Sequence, residues 1–62
     1  MLTLQNRFQD DKWEYLDIKM VANEQILRNI AKEYSKNSIS YGMVRILKDG
    51  IPIVTYAAGK IV

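Results

Sequence analysis

Carboxylates, hydroxyls and cations are the only side chains with which this 62-residue sequence could do chemistry, because it contains neither histidine nor cysteine. Structural zinc sites need thiolate or imidazole ligands, and serine and cysteine nucleophiles usually need a histidine base. Disulfide bonds are excluded as well. We therefore expect no metal site and no cofactor.

A pair of carboxylates is the remaining arrangement that could perform acid–base catalysis. Glu14 and Asp17 lie three residues apart in a segment that alternates like a strand, so their side chains should point to opposite faces. Asp10 and Asp11 lie in a polar, turn-like segment, where aspartate is common because it bonds nearby backbone groups. The sequence therefore offers no catalytic pair.

A phosphate-binding loop is also missing. Gly59-Lys60 lacks the earlier glycine of such a loop, since Val54 occupies its position, and Ile61 stands where serine or threonine is required. So short a chain also has too little material to enclose a ligand pocket of about 300 Å³ or more by itself. We predict that the protein is not an enzyme.

Length predicts a single small domain over residues 1–62, because a second core would have no chain left to form it. Nine basic and seven acidic residues give a net charge of +2. No apolar run is long enough to span a membrane and no secretory signal opens the sequence, so we expect a cytoplasmic protein without membrane contact. Because the core is small and no disulfide supports it, association with another chain would supply stability.

The predicted fold is α+β in the order ββαββ, with two hairpins forming a four-stranded sheet and one helix packed on one face. Residues 2–8 and 13–20 alternate with a period of two and predict the first hairpin. Residues 39–47 and 51–57 are rich in β-branched and aromatic side chains and predict the second.

Asp49-Gly50 marks the turn of the second hairpin, as two residues or as three with a glycine bulge. Pro52 donates no backbone N–H, which confines its strand to a sheet edge or a bulge. Gly59 is expected to end the last strand.

The spacing of the apolar residues changes from a period of two to that of a helix, which predicts a helix over residues 23–36 with Asn23 as its N-cap. The residues expected to form its core-facing stripe are Ile26, Leu27, Ile30, Ala31 and Tyr34. One such helix covers only one face of a sheet.

Alternation divides the strand residues between the covered and the uncovered face. The covered face is predicted to hold Leu2, Leu4, Phe8, Leu16, Ile18, Met20, Val44, Ile46 and Val54. The uncovered face is predicted to hold Arg7, Trp13, Tyr15, Lys19, Tyr41, Met43 and Arg45. Tyr56 fits either face, depending on the turn.

Aromatic residues, methionine and arginine are the types enriched in the cores of interfaces, so the uncovered face predicts an interaction surface. Our leading hypothesis is a small binding module, a regulator or inhibitor of an unknown protein partner, that self-associates as a homodimer through this face or through an edge strand. Nucleic-acid binding is the alternative, in which bases would stack on Trp13, Tyr15 and Tyr41. The phosphates would be held by Arg7, Lys19 and Arg45. Asp17, on the same predicted face, argues against it. The simplest interpretation is that the aromatic rings only shield the sheet.

A second basic surface follows the helix, where Arg28, Lys32 and Lys36 recur every four residues. These cations could dock on phosphate or on an acidic partner. Charged stripes on small helices are more often simply solvated, and we favour that interpretation.

The order of these elements resembles that of many small open reading frames of bacteria and phages. The resemblance rests on Trp13-Glu14-Tyr15, the helix with Leu27 and Ala31, and Val44-Arg45-Ile46 before Asp49-Gly50. It spans most of the chain and implies a phage or mobile-element accessory protein that acts by binding. No functional residue comes with it.

Overall fold

One helix and an antiparallel five-stranded sheet make up the part of the chain that the computed structural model describes, residues 1–7, 12–16, 23–37 and 41–62. The elements are β1 (Leu2–Arg7), β2 (Glu14–Tyr15), α1 (Glu24–Lys36), β3 (Met43–Lys48), β4 (Ile51–Ala57) and β5 (Lys60–Ile61). The strand order across the sheet is β2-β1-β3-β4-β5. The α+β class is therefore confirmed.

The prediction of four strands is wrong, because the chain continues into β5 instead of ending its strands at Gly59. Ala58 and Gly59 have φ angles of 53° and 80°, so they form a two-residue turn that reverses the chain. Residues 60–61 then pair with Tyr56 and Ala57. The turn was not predicted because alanine is an unusual residue in the left-handed conformation.

The turn between β3 and β4 has two residues, which settles the alternative left open by the sequence. Asp49 and Gly50 have φ angles of 52° and 84°, and Lys48 pairs with Ile51 beside them. The register shifts further along, where Leu47 lies opposite Pro52 and the next pair joins Ile46 to Val54. This irregularity accommodates the proline as predicted.

Helix α1 begins after Asn23, whose side chain accepts hydrogen bonds from the backbone N–H groups of Gln25 and Ile26. The capping prediction is confirmed, but Ile26 is 52 % exposed and does not join the core. The other four predicted residues do face the core, with Leu27 and Ala31 buried in it and Ile30 and Tyr34 partly buried against it. The fully buried stripe consists of Leu27, Ala31 and Ser35, which follow one line at four-residue spacing.

The core lies between this stripe and one face of the sheet. The buried sheet residues of the cluster are Leu4, Val44, Ile46, Val54 and Tyr56. Tyr56 therefore belongs to the covered face, because the two-residue turn brings it opposite Val44. Leu2 and Leu16 pack against the cluster, whereas Phe8, Ile18 and Met20 lie outside the described residues.

Ser35 ties the end of the helix to the β4–β5 turn. Its hydroxyl accepts a hydrogen bond of 2.9 Å from the buried backbone N–H of Gly59 and donates one of 2.8 Å to the Lys32 carbonyl. Within the described residues, no helix has the length and apolar character required to cross a membrane.

Replacing Ser35 with alanine should destabilise the fold by about 1–3 kcal/mol, because the buried N–H of Gly59 would lose its acceptor. Urea unfolding followed by far-ultraviolet circular dichroism measures the change. Lys32→Ala, an exposed substitution on the same helix, should change the free energy of unfolding by less than about 0.5 kcal/mol. Equal stability of the two variants would contradict a structural role for this hydroxyl.

Candidate binding surface

Strand register brings a set of polar and aromatic side chains to the sheet face that points away from α1. Gln5 is the Cα partner of both Tyr15 and Arg45, and Arg45 also pairs with Thr55. In the neighbouring cross-strand row, Arg7 pairs with Met43, and Ala57 pairs with Lys60. Because side chains alternate along a strand, these residues face away from the helix-covered core. We call this surface the Trp13 face, consisting of Gln5, Arg7, Trp13, Tyr15, Met43, Arg45, Thr55 and Lys60.

Trp13 is half-buried on this face and lies against two arginines. The Arg45 guanidinium carbon is 4.0 Å from the centroid of the indole ring, and that of Arg7 is 5.9 Å away. Since β2 and β3 flank β1, the indole must reach across β1 to meet Arg45. These are cation–π contacts, with the closer one formed by Arg45.

Arg45 is fixed by a second contact. Its Nε donates a hydrogen bond of 2.9 Å to Oε1 of Gln5, a residue that is only 7 % exposed. The guanidinium is thus held by the indole on one side and by a buried amide at Nε. Its terminal amino groups have no hydrogen-bond partner among the described residues. An arginine held in this way can offer those groups to an anion without losing much side-chain entropy.

Tyr15 lies beside this pair and is 68 % exposed. It belongs to the two-residue strand β2 at the edge of the sheet. The ring therefore offers an accessible flat surface in the same cross-strand row as Arg45, on the other side of Gln5.

The prediction that Tyr41 shares this face is wrong. Its ring stacks on Tyr34 of α1, with centroids 4.6 Å apart and planes 8° from parallel. Asn6, which faces the helix, donates a hydrogen bond of 3.0 Å to the Tyr41 carbonyl. Tyr41 precedes β3, and Gly42 with φ 66° interrupts the alternation on which the prediction rested. Lys19 lies outside the described residues.

Lys60 lies on this face although the sequence pattern did not predict it there. Its placement depends on β5, which pairs it with Ala57. The signal was present in Ala58-Gly59, a two-residue spacing between β-prone segments.

The described residues of the Trp13 face carry positive charge, because Arg7, Arg45 and Lys60 lie on it. Of the described side-chain carboxylates, Glu14 pairs with Asn6 on the opposite side, two belong to α1 and Asp49 lies in the β3–β4 turn beside the N-terminus. Asp17 is outside the described residues.

Two of the three cations of the helix stripe form ion pairs with carboxylates of the same helix. Nε of Arg28 lies 3.1 Å from Oε2 of Glu24, and hydrogen bonds to Glu24 and to the Tyr56 hydroxyl raise the pKa of Arg28 above its ordinary value. Nζ of Lys36 lies 3.3 Å from Glu33. Lys32 is exposed. The stripe therefore has less charge to offer a partner than its sequence spacing indicates.

The stem of Lys36 also covers the backbone of the β4–β5 turn. A Cβ placed on Gly59 would lie 2.8 Å from Cγ of Lys36. Hydrocarbon stems of lysine often cover apolar surface in this manner.

Among the described residues, no group of three or more potential ligands is placed to hold a metal ion. No protein-family model, curated protein or solved structure matches the chain.

The contact between Trp13 and Arg45 should contribute a coupling free energy of about 1 kcal/mol, typical of a partly desolvated cation–π pair. A double-mutant cycle with Trp13→Ala and Arg45→Ala measures it, with unfolding followed by circular dichroism. Trp13→Ala and Lys32→Ala serve as the control cycle and should be additive. Additivity in both cycles would show that the stacked geometry contributes nothing.

Proposed function

We propose that the protein is a small non-enzymatic binding module whose Trp13 face holds an anionic macromolecule. The observation that carries the proposal is the placement of Arg7, Arg45 and Lys60 on the same sheet face as the rings of Trp13 and Tyr15, with both arginines against the indole. Cations attract a polyanion over a distance, and the aromatic rings add contact area once it has arrived.

Self-association through this face is less favourable on electrostatic grounds. In a two-fold dimer the same patch of each copy meets itself, so the three cations of one copy would face the three of the other. Like charges across an interface are costly unless carboxylates are interleaved, and none of the described carboxylates lies on this face. The charge therefore favours a partner of opposite sign.

Shielding of the sheet explains Trp13 but not Tyr15. The half-buried indole removes backbone and arginine stem from water. Tyr15 leaves 68 % of its surface exposed, so it gains little stability from burial in the isolated chain. Contact of the ring with a binding partner would account for its exposure in the isolated chain.

Removing a cation from the Trp13 face should weaken polyanion binding more than removing one elsewhere. We expect Arg45→Gln and Lys60→Ala to reduce the affinity for heparin by about 2- to 5-fold more than Lys32→Ala and Lys48→Ala, the range of one exposed ion pair. Isothermal titration calorimetry measures the affinities. All four variants lose one positive charge, so differences in affinity among them do not come from net charge.

Equal losses in all four variants would show that binding follows net charge alone and would overturn the proposed face. Circular dichroism spectra of each variant establish that it is folded.

Self-association remains a second candidate, at a different surface. Ile51, Ile61 and Val62 are 65–68 % exposed, and Ile53 is 38 % exposed, along the edge formed by β4 and β5. β5 pairs only with the end of β4, so residues 51–54 have no further strand beside them among the described residues. Pro52 and the register shift hinder strand addition there, and a second copy would have to pack through side chains.

If this edge is a dimer interface, Ile61→Lys should shift the protein to monomer, because each interface would bury two added charges. Light scattering over a concentration series reports the mass. Ile26→Lys introduces the same change at an exposed isoleucine of the helix and should leave the mass unchanged. A monomeric parent protein at every concentration would exclude this second candidate.

A further inference from the structure

We infer that the anionic partner of the Trp13 face is a single-stranded nucleic acid. This inference rests on the proposed function and names its ligand class. Three features carry it: an exposed aromatic ring, a fixed guanidinium in the same cross-strand row, and cations distributed across the width of the sheet.

Tyr15 supplies the stacking surface. Its ring is exposed and stands on the edge strand, where a base can approach without meeting a further strand among the described residues. Every base has a flat face, and stacking on such a ring does not depend on sequence. The bases of a duplex are stacked on one another, so this mode of binding requires an unpaired strand.

Arg45 supplies the phosphate contact in the same cross-strand row as that ring. Both Tyr15 and Arg45 pair with Gln5, so their Cα atoms are separated by two strand spacings, roughly 10 Å. The indole of Trp13 and the amide of Gln5 fix the guanidinium there. The planar guanidinium matches phosphate oxygens in a bidentate arrangement.

The other cations extend the positive surface over the sheet. Arg7 lies on β1 and Lys60 on β5, three strand spacings apart, or roughly 14 Å. A chain that crosses the strands from β2 to β5 therefore meets positive charge after the aromatic edge. A flexible single strand, which carries a phosphate with every base, can meet both kinds of group in turn.

A duplex fits this surface less well. Proteins that read a duplex insert a helix or a two-stranded ribbon into its groove, whereas the Trp13 face is a broad sheet surface. An acidic peptide would satisfy the cations but would have no specific need for Tyr15. The importance of the ring therefore distinguishes these partners.

Binding is tested with the full chain, using quenching of Trp13 fluorescence, since this is the single tryptophan of the protein. The probes are an oligothymidine of about 12 nucleotides, within the length that one small domain covers, and a duplex of equal length. Polyglutamate and vesicles of phosphatidylserine and phosphatidylcholine complete the set.

We expect the single strand to bind most tightly. Tyr15→Ala should weaken that binding by about 5- to 150-fold, while Tyr15→Phe, which keeps the ring, should bind like the parent protein. Arg45→Gln should reduce the slope of log affinity against log salt by about 0.7, the value of one phosphate contact on a single strand. Oligothymidine labelled with fluorescein and followed by anisotropy gives an independent measure for the Arg45 variant, whose tryptophan environment changes.

Tighter binding to the duplex, to polyglutamate or to the vesicles would overturn the inference. The inference would also be overturned if Tyr15→Ala left the affinity for the single strand unchanged. In these cases the proposed function survives as long as the face variants still lose heparin affinity selectively. If none of the polyanions binds, both the inference and the proposed function fail.

Discussion

The contact between α1 and one face of the sheet is the constraint on which the rest of the structure depends. Leu27 and Ala31 bury their side chains against one set of alternate strand residues, represented by Val44 and Ile46. The pleat then directs every residue between them to the opposite face. Polar and aromatic side chains from β1, β2, β3 and β5 therefore meet on a single surface although they are distant in sequence.

On that opposite surface, arginine and tryptophan together perform a task that a lysine could not. The Arg45 guanidinium is planar and weakly hydrated, so it can lie on the Trp13 ring and still keep its terminal amino groups available. A lysine ammonium would prefer its hydration shell and would leave the ring more exposed. The same contact thus shields the sheet and orients a cation.

The sequence predicted those parts of the fold that depend on local patterns. Helix α1 and the Asp49-Gly50 turn follow from capping and turn chemistry, and both occur where they were expected. The errors arose where the backbone conformation of a single residue determines the path of the segment next to it. Gly42 breaks the alternation before β3 and moves Tyr41 to the helix side, and the left-handed Ala58 creates β5 and adds Lys60 to the Trp13 face. Periodicity contains no information about such single φ angles.

A positive face on so small a domain also has a thermodynamic consequence. Cations gathered on one side of the sheet repel one another, and a core of this size leaves little free energy to oppose that repulsion. Binding of an anion to the native state removes the repulsion and adds stability in proportion to the logarithm of ligand concentration. If the Trp13 face binds an anion as proposed, its electrostatic cost in the free chain becomes part of the affinity, because the unfolded chain, in which these cations are far apart, gains much less from the same anion.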